Sequence, residues 1–275
     1  MINLMDSGNS KVFDGILSSL LSVTNGYKGQ LNVFVLTMDL QEINPNYKPI
    51  TPEMNQVFND VVKKVNEKSS CRVLDLTESY KQDMDRISIA KRFTPYALLR
   101  LYSAECPDIP DKVLYLDTDT MARLNIEELY NIDIDNYELA GSRDYFGRVF
   151  KHRDYINSGV LLLNMKKIRE TGLFKRAKQM CIEKRMFLAD QDAINKCVTL
   201  KLIVDDKFNH QRRICPNTVI RHYCNSFRFF PIIRMKNVKQ YEIEKVMKDK
   251  KKEYKDEIIE EILKKFIQIK EGLKI

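Results

Sequence analysis

The sequence predicts an α/β fold, a central mixed and mostly parallel sheet flanked by helices, with a helical extension at its C-terminal end. Three observations carry that expectation. Apolar, β-rich runs recur along the chain, several nearly all apolar, as strands covered on both faces require. Helix-period stretches separate these runs. The last part of the chain carries apolar residues at helical spacing on an otherwise charged segment.

The elements follow in order. Leu31–Thr37 reads as a strand, as do Cys71–Leu76, Val113–Leu116, Tyr137–Ser142 and Val160–Leu163. Between them, helical patterns cover about 12–24, 52–67, 95–104, 165–186 and 190–198. Thr94-Pro95 reads as a helix start, a capping hydroxyl followed by proline at the first helical position. The helix it opens carries Leu98, Leu99, Leu101 and Tyr102 around Arg100, and Pro107 and Pro110 close the connection to the next strand. From about residue 242 the chain reads as a separate element. Tyr254, Ile258, Ile262 and Phe266 fall four apart beside the row Ile259, Leu263 and Ile267, an amphipathic helix with a charged outer face. Docking on the domain is the first reading of that helix and a membrane surface the second. The expected organisation is one domain over residues 1–241 and an amphipathic extension over 242–275.

Composition narrows the class. The 275 residues, 44% hydrophobic with 13 Phe and 13 Tyr, suffice for a sizeable core and exclude a wholly disordered chain. No apolar run approaches the roughly 20 residues that span a bilayer. Asp6, Lys11 and Asp14 interrupt the stretch where a signal peptide would need a continuous apolar core, so a cytoplasmic location is expected. Cysteines at 71, 106, 181, 197, 215 and 224 form no CxxC pair, which fits reduced thiols rather than a disulfide frame or a zinc site. The formal net charge of +8 favours an anionic partner. Nucleic acid is the weakest candidate, because basic and acidic residues are mixed and no aromatic–basic stripe appears.

The most informative stretch is Val113-Leu-Tyr-Leu116 followed by Asp117-Thr118-Asp119. Apolar residues deliver the chain to the carboxyl edge of the sheet, where ligands bind in open α/β folds. Two carboxylates then emerge beside a turn, a donor set for Mg²⁺ or Mn²⁺ bridging phosphates. Two enzyme classes use this arrangement: glycosyltransferases that hold a nucleotide-sugar diphosphate through a metal, and haloacid-dehalogenase phosphatases. Asp117-Thr-Asp-Thr120 matches the first phosphatase motif, with Asp117 as nucleophile and Asp119 as general acid/base. Asp205-Asp206 after Ile203-Val204 would then be its late acidic motif.

Three further segments favour sugar transfer. Tyr155-Ile-Asn-Ser-Gly-Val-Leu-Leu-Leu-Asn164, Asp190-Gln-Asp-Ala-Ile-Asn195 and His222-Tyr-Cys224 resemble, in order and spacing over roughly residues 1–241, the motifs of bacterial-type family 8 retaining glycosyltransferases. That resemblance implies a GT-A-type nucleotide-binding fold and a hexose moved from UDP-glucose or UDP-galactose to a glycan, lipid or protein. It implies Asp117, Asp119 and His222 as ligands of Mn²⁺ (or Mg²⁺). Asp144, Asn157 and Asp190 would hold donor-sugar hydroxyls, with Ser158 beside them; Gln191 would lie near the anomeric carbon, and Asp144 or Asp190 would be the catalytic carboxylate of a covalent route. Arg100 and Thr118 would approach the donor, and Asp6, Gly8 and Asn9 would stand where the family frames the nucleotide.

Two positions depart from the family pattern. Asn9 replaces the aromatic residue that usually lies against the base, while Gly8 permits close backbone approach. After His222, Asn225 stands where glycine is usual, and Lys239 answers to the closing-motif lysine only if residues 229–239 form an inserted loop. Arg228 is the reserve candidate for the diphosphate. These departures keep open a third reading, a sugar-nucleotide-binding protein without catalysis. Beyond donor and acceptor, peripheral contact with the cytoplasmic face of a membrane through the basic C-terminal helix is the second reading of that helix, after docking on the domain.

Overall fold

In the computed structural model, apolar residues of successive strands alternate between two cores, one on each face of the sheet. Leu114 and Leu116 enter one core and Val113 and Tyr115 the other; Leu31, Val33 and Val35 separate from Phe34 and Leu36 in the same way. A strand buried on both sides needs apolar residues at nearly every position, and that explains the continuous runs. The structure describes residues 1–83, 94–183, 188–224, 226–228, 234–236, 238–248 and 253–273, with backbone alone for 226–228 and 234–236.

The elements run β1 (Ile2–Ser7), α1 (Phe13–Gly26), β2 (Leu31–Thr37), α2 (Pro52–Val65), β3 (Ser70–Asp75), α3 (Thr77–Lys81), α4 (Leu99–Tyr102), β4 (Lys112–Leu116) and β5 (Thr120–Ala122). There follow α5 (Glu127–Tyr130), β6 (Leu139–Arg143), α6 (Gly147–Phe150), β7 (Ile156–Asn164), α7 (Met165–Thr171), α8 (Leu173–Glu183), α9 (Ala189–Cys197) and β8 (Lys201–Val204). Last come β9 (Ile220–His222), β10 (Ser226–Arg228), β11 (Arg234–Lys236), α10 (Ile243–Met247) and α11 (Glu257–Gly272).

Seven strands form the main sheet in the order β3-β2-β1-β4-β7-β6-β8. β3, β2, β1 and β4 are parallel, β7 is antiparallel to both β4 and β6, and β8 is parallel to β6. The expected mixed, mostly parallel sheet is thus present. The reversal at β7 places the start of that strand beside the end of β4, with Leu116 opposite Val160. At the other side of β7, Arg143 pairs with Ile156 after a bulge near Gly141. The ends of β1, β4 and β6 and the beginning of β7 therefore share one edge. A two-stranded ladder brings His222 of β9 opposite Thr120 of β5.

Several local expectations change. The segment 95–104 opens as a 3-10 turn over Pro95–Leu98 before α4, and Thr94 makes no side-chain cap, although Pro95 does occupy the first helical turn. The pattern over 165–186 splits into α7 and α8 because Gly172 adopts φ +69, the left-handed stop glycine permits; its end, residues 184–186, lies outside the described residues. β1 extends through Asp6 to Ser7 and is buried throughout. β8 and the ladder strands β5 and β9 carry too few residues to show a pattern.

The C-terminal segment packs rather than projects. Ile259, Ile262, Leu263 and Phe266 of α11 join the core that contains Leu17, Leu20 and Leu114. Asp256 caps α11 through the Ile259 N–H and forms an ion pair with Arg123. Lys270 pairs with Asp14 of α1 at 2.7 Å. The apolar stripe of α11 is thereby covered by protein, and its charged face remains outward. No described helix is long and apolar enough to cross a membrane.

Candidate active site

The shared sheet edge collects the residues singled out above. Asp117 leaves β4 with its N–H donated to Gly159 O (2.8 Å), and its carbonyl accepts from Thr120 N–H (3.0 Å) and Thr120 Oγ1 (2.9 Å). This tight turn turns the Asp119 carboxylate toward β9, where Tyr223 N–H donates to Asp119 O (2.7 Å). One ligand atom each from Asp117, Asp119 and His222 lies within 4.8 Å of the others. His222 Nε2 stands 3.0 Å from Asp119 Oδ1 and 3.9 Å from Asp117 Oδ2.

A residue that showed no signal in the sequence orients this imidazole. Asn209 Oδ1 lies 3.0 Å from His222 Nδ1, and Asn209 Nδ2 donates to Asn157 Oδ1 at 2.9 Å. With the amide so oriented, Nδ1 carries a hydrogen and Nε2 is the nitrogen turned toward the carboxylates. Gly159 clears the seat, since a Cβ there would lie 2.2 Å from His222 Cε1. Gly15 of α1 does the same for the acidic turn, where a Cβ would meet Thr118 O at 2.5 Å. Thr118 O also accepts from the buried Gln240 Nε2 at 2.7 Å.

Arg100 lies buried behind the turn. Its Nη2 pairs with Asp117 Oδ1 at 2.8 Å, its Nη1 donates to Ser158 O, and its guanidinium stacks 4.0 Å from the Tyr115 ring centre. Arg100 Nε faces Asp190 Oδ2 at 2.8 Å, an ion pair off the hydrogen-bonding axis that leaves this buried oxygen without an aligned donor. Tyr115 Oη donates to Asp117 Oδ1 and is bonded to Ser7 Oγ, both at 2.9 Å. By sequence Tyr115 is simply a strand residue, and its only signal is a phenol in an otherwise apolar run that ends at an acidic turn.

On the far side of Gly159, the amide row is continuous. Asn157 Nδ2 donates to Asp144 Oδ2 (2.8 Å), and Gln191 Nε2 lies 3.4 Å from the same oxygen. Gln191 Oε1 accepts from Ser158 N–H (3.0 Å) and Ser158 Oγ (3.3 Å). Asp144 Oδ1 is held by the Phe146 and Gly147 N–H groups.

Charge is unevenly distributed across the edge. Burial pushes the Asp190 carboxyl up to about 6, with Arg100 opposing the rise. Burial also raises Asp6 well above the usual range; Asp117 and Asp119 add to this and the Ser7 N–H opposes it. At Asp119 burial pushes upward too, but the charges of His222 and Lys239 outweigh it and hold the carboxyl well below its ordinary value. Lys239 reaches the site by the returning chain, with Nζ 2.5 Å from Asp119 Oδ2 and 3.3 Å from Tyr223 O. Burial lowers the Lys239 ammonium, and the Asp119 charge more than restores it.

The N-terminal positions serve the fold as well as the edge. A Cβ on Gly8 would meet Val12 Cγ2 at 2.3 Å, so an intramolecular contact accounts for this glycine. Asn9 is buried and caps the following 3-10 turn through the Lys11 N–H. Arg228 lies in β10, and its side chain is outside the described residues.

The phosphatase assignment does not hold. Asp205 caps a 3-10 turn through the Lys207 N–H, and Asp206 pairs with Arg148 at 3.2 Å, so neither serves as a late acidic motif for Asp117. Asp117 Oδ1 is itself occupied by Arg100 and Tyr115.

Comparison with known proteins agrees with this geometry. The family model described as glycosyl transferase family 8 matches residues 15–229. A putative glycosyltransferase of Haemophilus influenzae is 26% identical over 260 residues, covering 83% of this chain and 73% of that protein. Glycosyltransferase GlyA of Streptococcus pneumoniae is 31% identical over 130 residues, 46% of this chain and 18% of that longer protein. Among solved structures, galactosyltransferase LgtC in complex with donor and acceptor sugar analogues superposes with a TM-score of 0.69 at 17% identity, covering 100% of this chain and 97% of that one. Glycosyltransferase GlyE of S. pneumoniae superposes with a TM-score of 0.62 at 17% identity, over 98% of this chain and 64% of that one. The structural likenesses show a common GT-A-type fold.

Proposed function

Because the chain belongs to glycosyl transferase family 8, and is a glycosyltransferase with a GT-A-type fold, we propose that it moves a hexose from UDP-glucose or UDP-galactose to a hydroxyl of a glycan, lipid or protein, with retention at the anomeric carbon. The observation that carries this reading is the convergence of Asp117, Asp119 and His222 beside the row Asp144–Asn157–Gln191.

The donor set fits a divalent cation, Mn²⁺ or Mg²⁺. Two carboxylates and an imidazole with its Nδ1 already engaged suit a hard-to-borderline ion. The ammonium of Lys239 against Asp119 marks the same spot as attractive to positive charge. When bound, the ion supplies Lewis-acid charge to the diphosphate leaving group.

The side chains divide the remaining work. Lys239 adds a positive charge where the departing UDP accumulates negative charge. Asp190, with a buried oxygen lacking an aligned donor, accepts from a donor-sugar hydroxyl, and Asp144 and Asn157 hold others. Arg100 ties Asp117 to Asp190 and so fixes the distance between diphosphate and sugar positions. Asp6, Gly8, Asn9, Thr118 and Ser158 frame the nucleotide and sugar from the ends of β1, β4 and the start of β7. The acceptor hydroxyl attacks from the face of the departing UDP and passes its proton to the leaving phosphate oxygen. Gln191 is an amide and no effective base, so its part is to orient the sugar or stabilise an oxocarbenium-like centre.

Residues 1–241 are the proposed transferase unit and 242–275 its helical extension. The proposed setting is the cytoplasm. The direct test is incubation with UDP-glucose and UDP-galactose, with and without Mn²⁺, for the native protein and Asp119→Asn. UDP release that needs Mn²⁺ and disappears in the variant is expected, with the product anomer read by NMR. Metal-independent hydrolysis, or undiminished turnover in Asp119→Asn, would refute the assignment.

A further inference from the structure

Next to Asp144 the site opens into a groove of about 660 Å³. Arg143 and Tyr145, the chain neighbours of Asp144, line it, and so does Asn209, the residue bonded to both Asn157 and His222. The groove therefore begins where the amide row ends. Its walls are stitched together: Tyr145 N–H donates to Gln211 Oε1 at 2.8 Å, and Gln211 Nε2 donates to Arg143 O at 3.0 Å.

The lining is basic. Arg143, Arg148, Arg212 and Arg213 face it against two carboxylates, Asp206 and Glu253. Arg143 is paired with Asp154 at 2.8 Å and Arg148 with Asp206 at 3.2 Å. Arg212 and Arg213 are exposed, and neither forms an ion pair with a carboxylate among the described residues. Arg212 is nevertheless held in place. It donates to Tyr145 Oη and lies 4.5 Å from the centre of that ring, with Arg148 at 5.1 Å from it.

We propose that this groove is an acceptor subsite for an anionic glycan, one bearing a phosphate or carboxylate group. The proposal rests on the transfer reaction above and names its second substrate's chemistry. Guanidinium groups bind such anions through paired hydrogen bonds, and the Tyr145 ring offers an apolar face to a sugar. The donor's diphosphate is accounted for elsewhere, at Asp117, Asp119, His222 and Lys239. The charge of Arg212 and Arg213 is thus left for the other substrate. A concave wall with fixed polar groups suits a discrete sugar better than a lipid surface.

The test is an NMR titration of the full chain with glucose and glucose 6-phosphate, and with galactose and galacturonic acid. UDP and diamagnetic Mg²⁺ are held at saturation so that the diphosphate position is filled. The anionic member of each pair is expected to bind roughly tenfold tighter, as one charge-assisted hydrogen bond provides. Arg212→Glu with Arg213→Glu should abolish that preference while leaving UDP affinity unchanged, and Arg213→Gln alone should weaken it at an unchanged melting temperature. Equal binding of neutral and anionic sugars, or a preference that survives charge reversal, overturns the proposal. Arginine-dependent sedimentation with phosphatidylglycerol vesicles, without preference among the sugars, overturns it in favour of a membrane surface; the exposed Val149 and Phe150 near Arg148 make that arm necessary. If UDP itself fails to bind, the donor assignment falls, and the same titration without UDP still decides the groove.

Discussion

Gly159 and His222 share one space: a Cβ on Gly159 would stand 2.2 Å from the His222 Cε1 atom. The strand carries no side chain at this position, and the imidazole lies there, facing Asp119 at 3.0 Å. Gly159→Ala should displace the ring. Mn²⁺ affinity and sugar-transfer rate are both expected to fall roughly 10–100-fold, the usual effect of disturbing a ligand's support. Overpacking should cost about 1–3 kcal/mol of stability. Native-like Mn²⁺ affinity in a folded variant would show that the histidine is not a ligand.

Asn209 bonds His222 and should act through it on the proposed metal position. Asn209→Ala removes the acceptor at Nδ1 and should weaken Mn²⁺ binding by about 10–100-fold. Asn209→Asp keeps that acceptor and should recover most of the affinity. A melting temperature lowered equally in both variants, with affinity untouched, would assign Asn209 a structural role alone.

Glu138 predicts an acid limb of stability away from the site. It is fully buried at the start of β6, where its carboxylate accepts from Thr171 Oγ1 (2.6 Å), Thr199 N–H (2.8 Å) and Leu200 N–H (3.0 Å). Burial pushes the carboxyl upward, and these donors outweigh it, so its folded pKa lies below the ordinary value of 4.5. The folded state then binds this proton more weakly than the unfolded state. The stabilisation is complete above the ordinary value and is lost as pH falls through the folded one. Glu138→Gln should cost about 1.5–3 kcal/mol near neutral pH. In urea titrations the gap between variant and native protein should narrow as the solution is acidified below that ordinary value. A gap independent of pH would exclude the charged hydrogen bonds as its source.

Leu263 tests whether α11 belongs to the core. It is fully buried there with Phe266. Leu263→Ala should cost about 2–5 kcal/mol in denaturant unfolding, with a single transition. A separate, earlier transition for the helix would mean that the extension folds independently of the sheet.

The strands and the acidic turn were legible because their signals are local. Val113–Leu116 is apolar at every position and is followed at once by Asp117, so both the buried strand and its functional edge can be read from consecutive residues. The motifs marked Asn157 and Gln191, and the structure brings both side chains to Asp144. The segment 95–104 was less so, because the same residues satisfy an α-helix or a 3-10 turn, and packing decides between them. Asn209, Gln240 and Gly15 left no trace, since each owes its role to a neighbour far away in the chain; Gly159 stood in a motif, but its reason, the space it leaves for His222, did not show.

By itself, then, the sequence determined the class of fold and the acidic step, and it pointed to Asp117, Asp119, Asn157, Gln191 and His222 as one site. These depend on hydrophobic period, residue type and short spacing. Only the tertiary structure decided that β7 runs against β4, that β9 brings His222 onto the turn, and that Lys239 returns to Asp119. The reason is physical: strand partners and loop closures are chosen by the summed burial of two cores, which no short window of sequence contains.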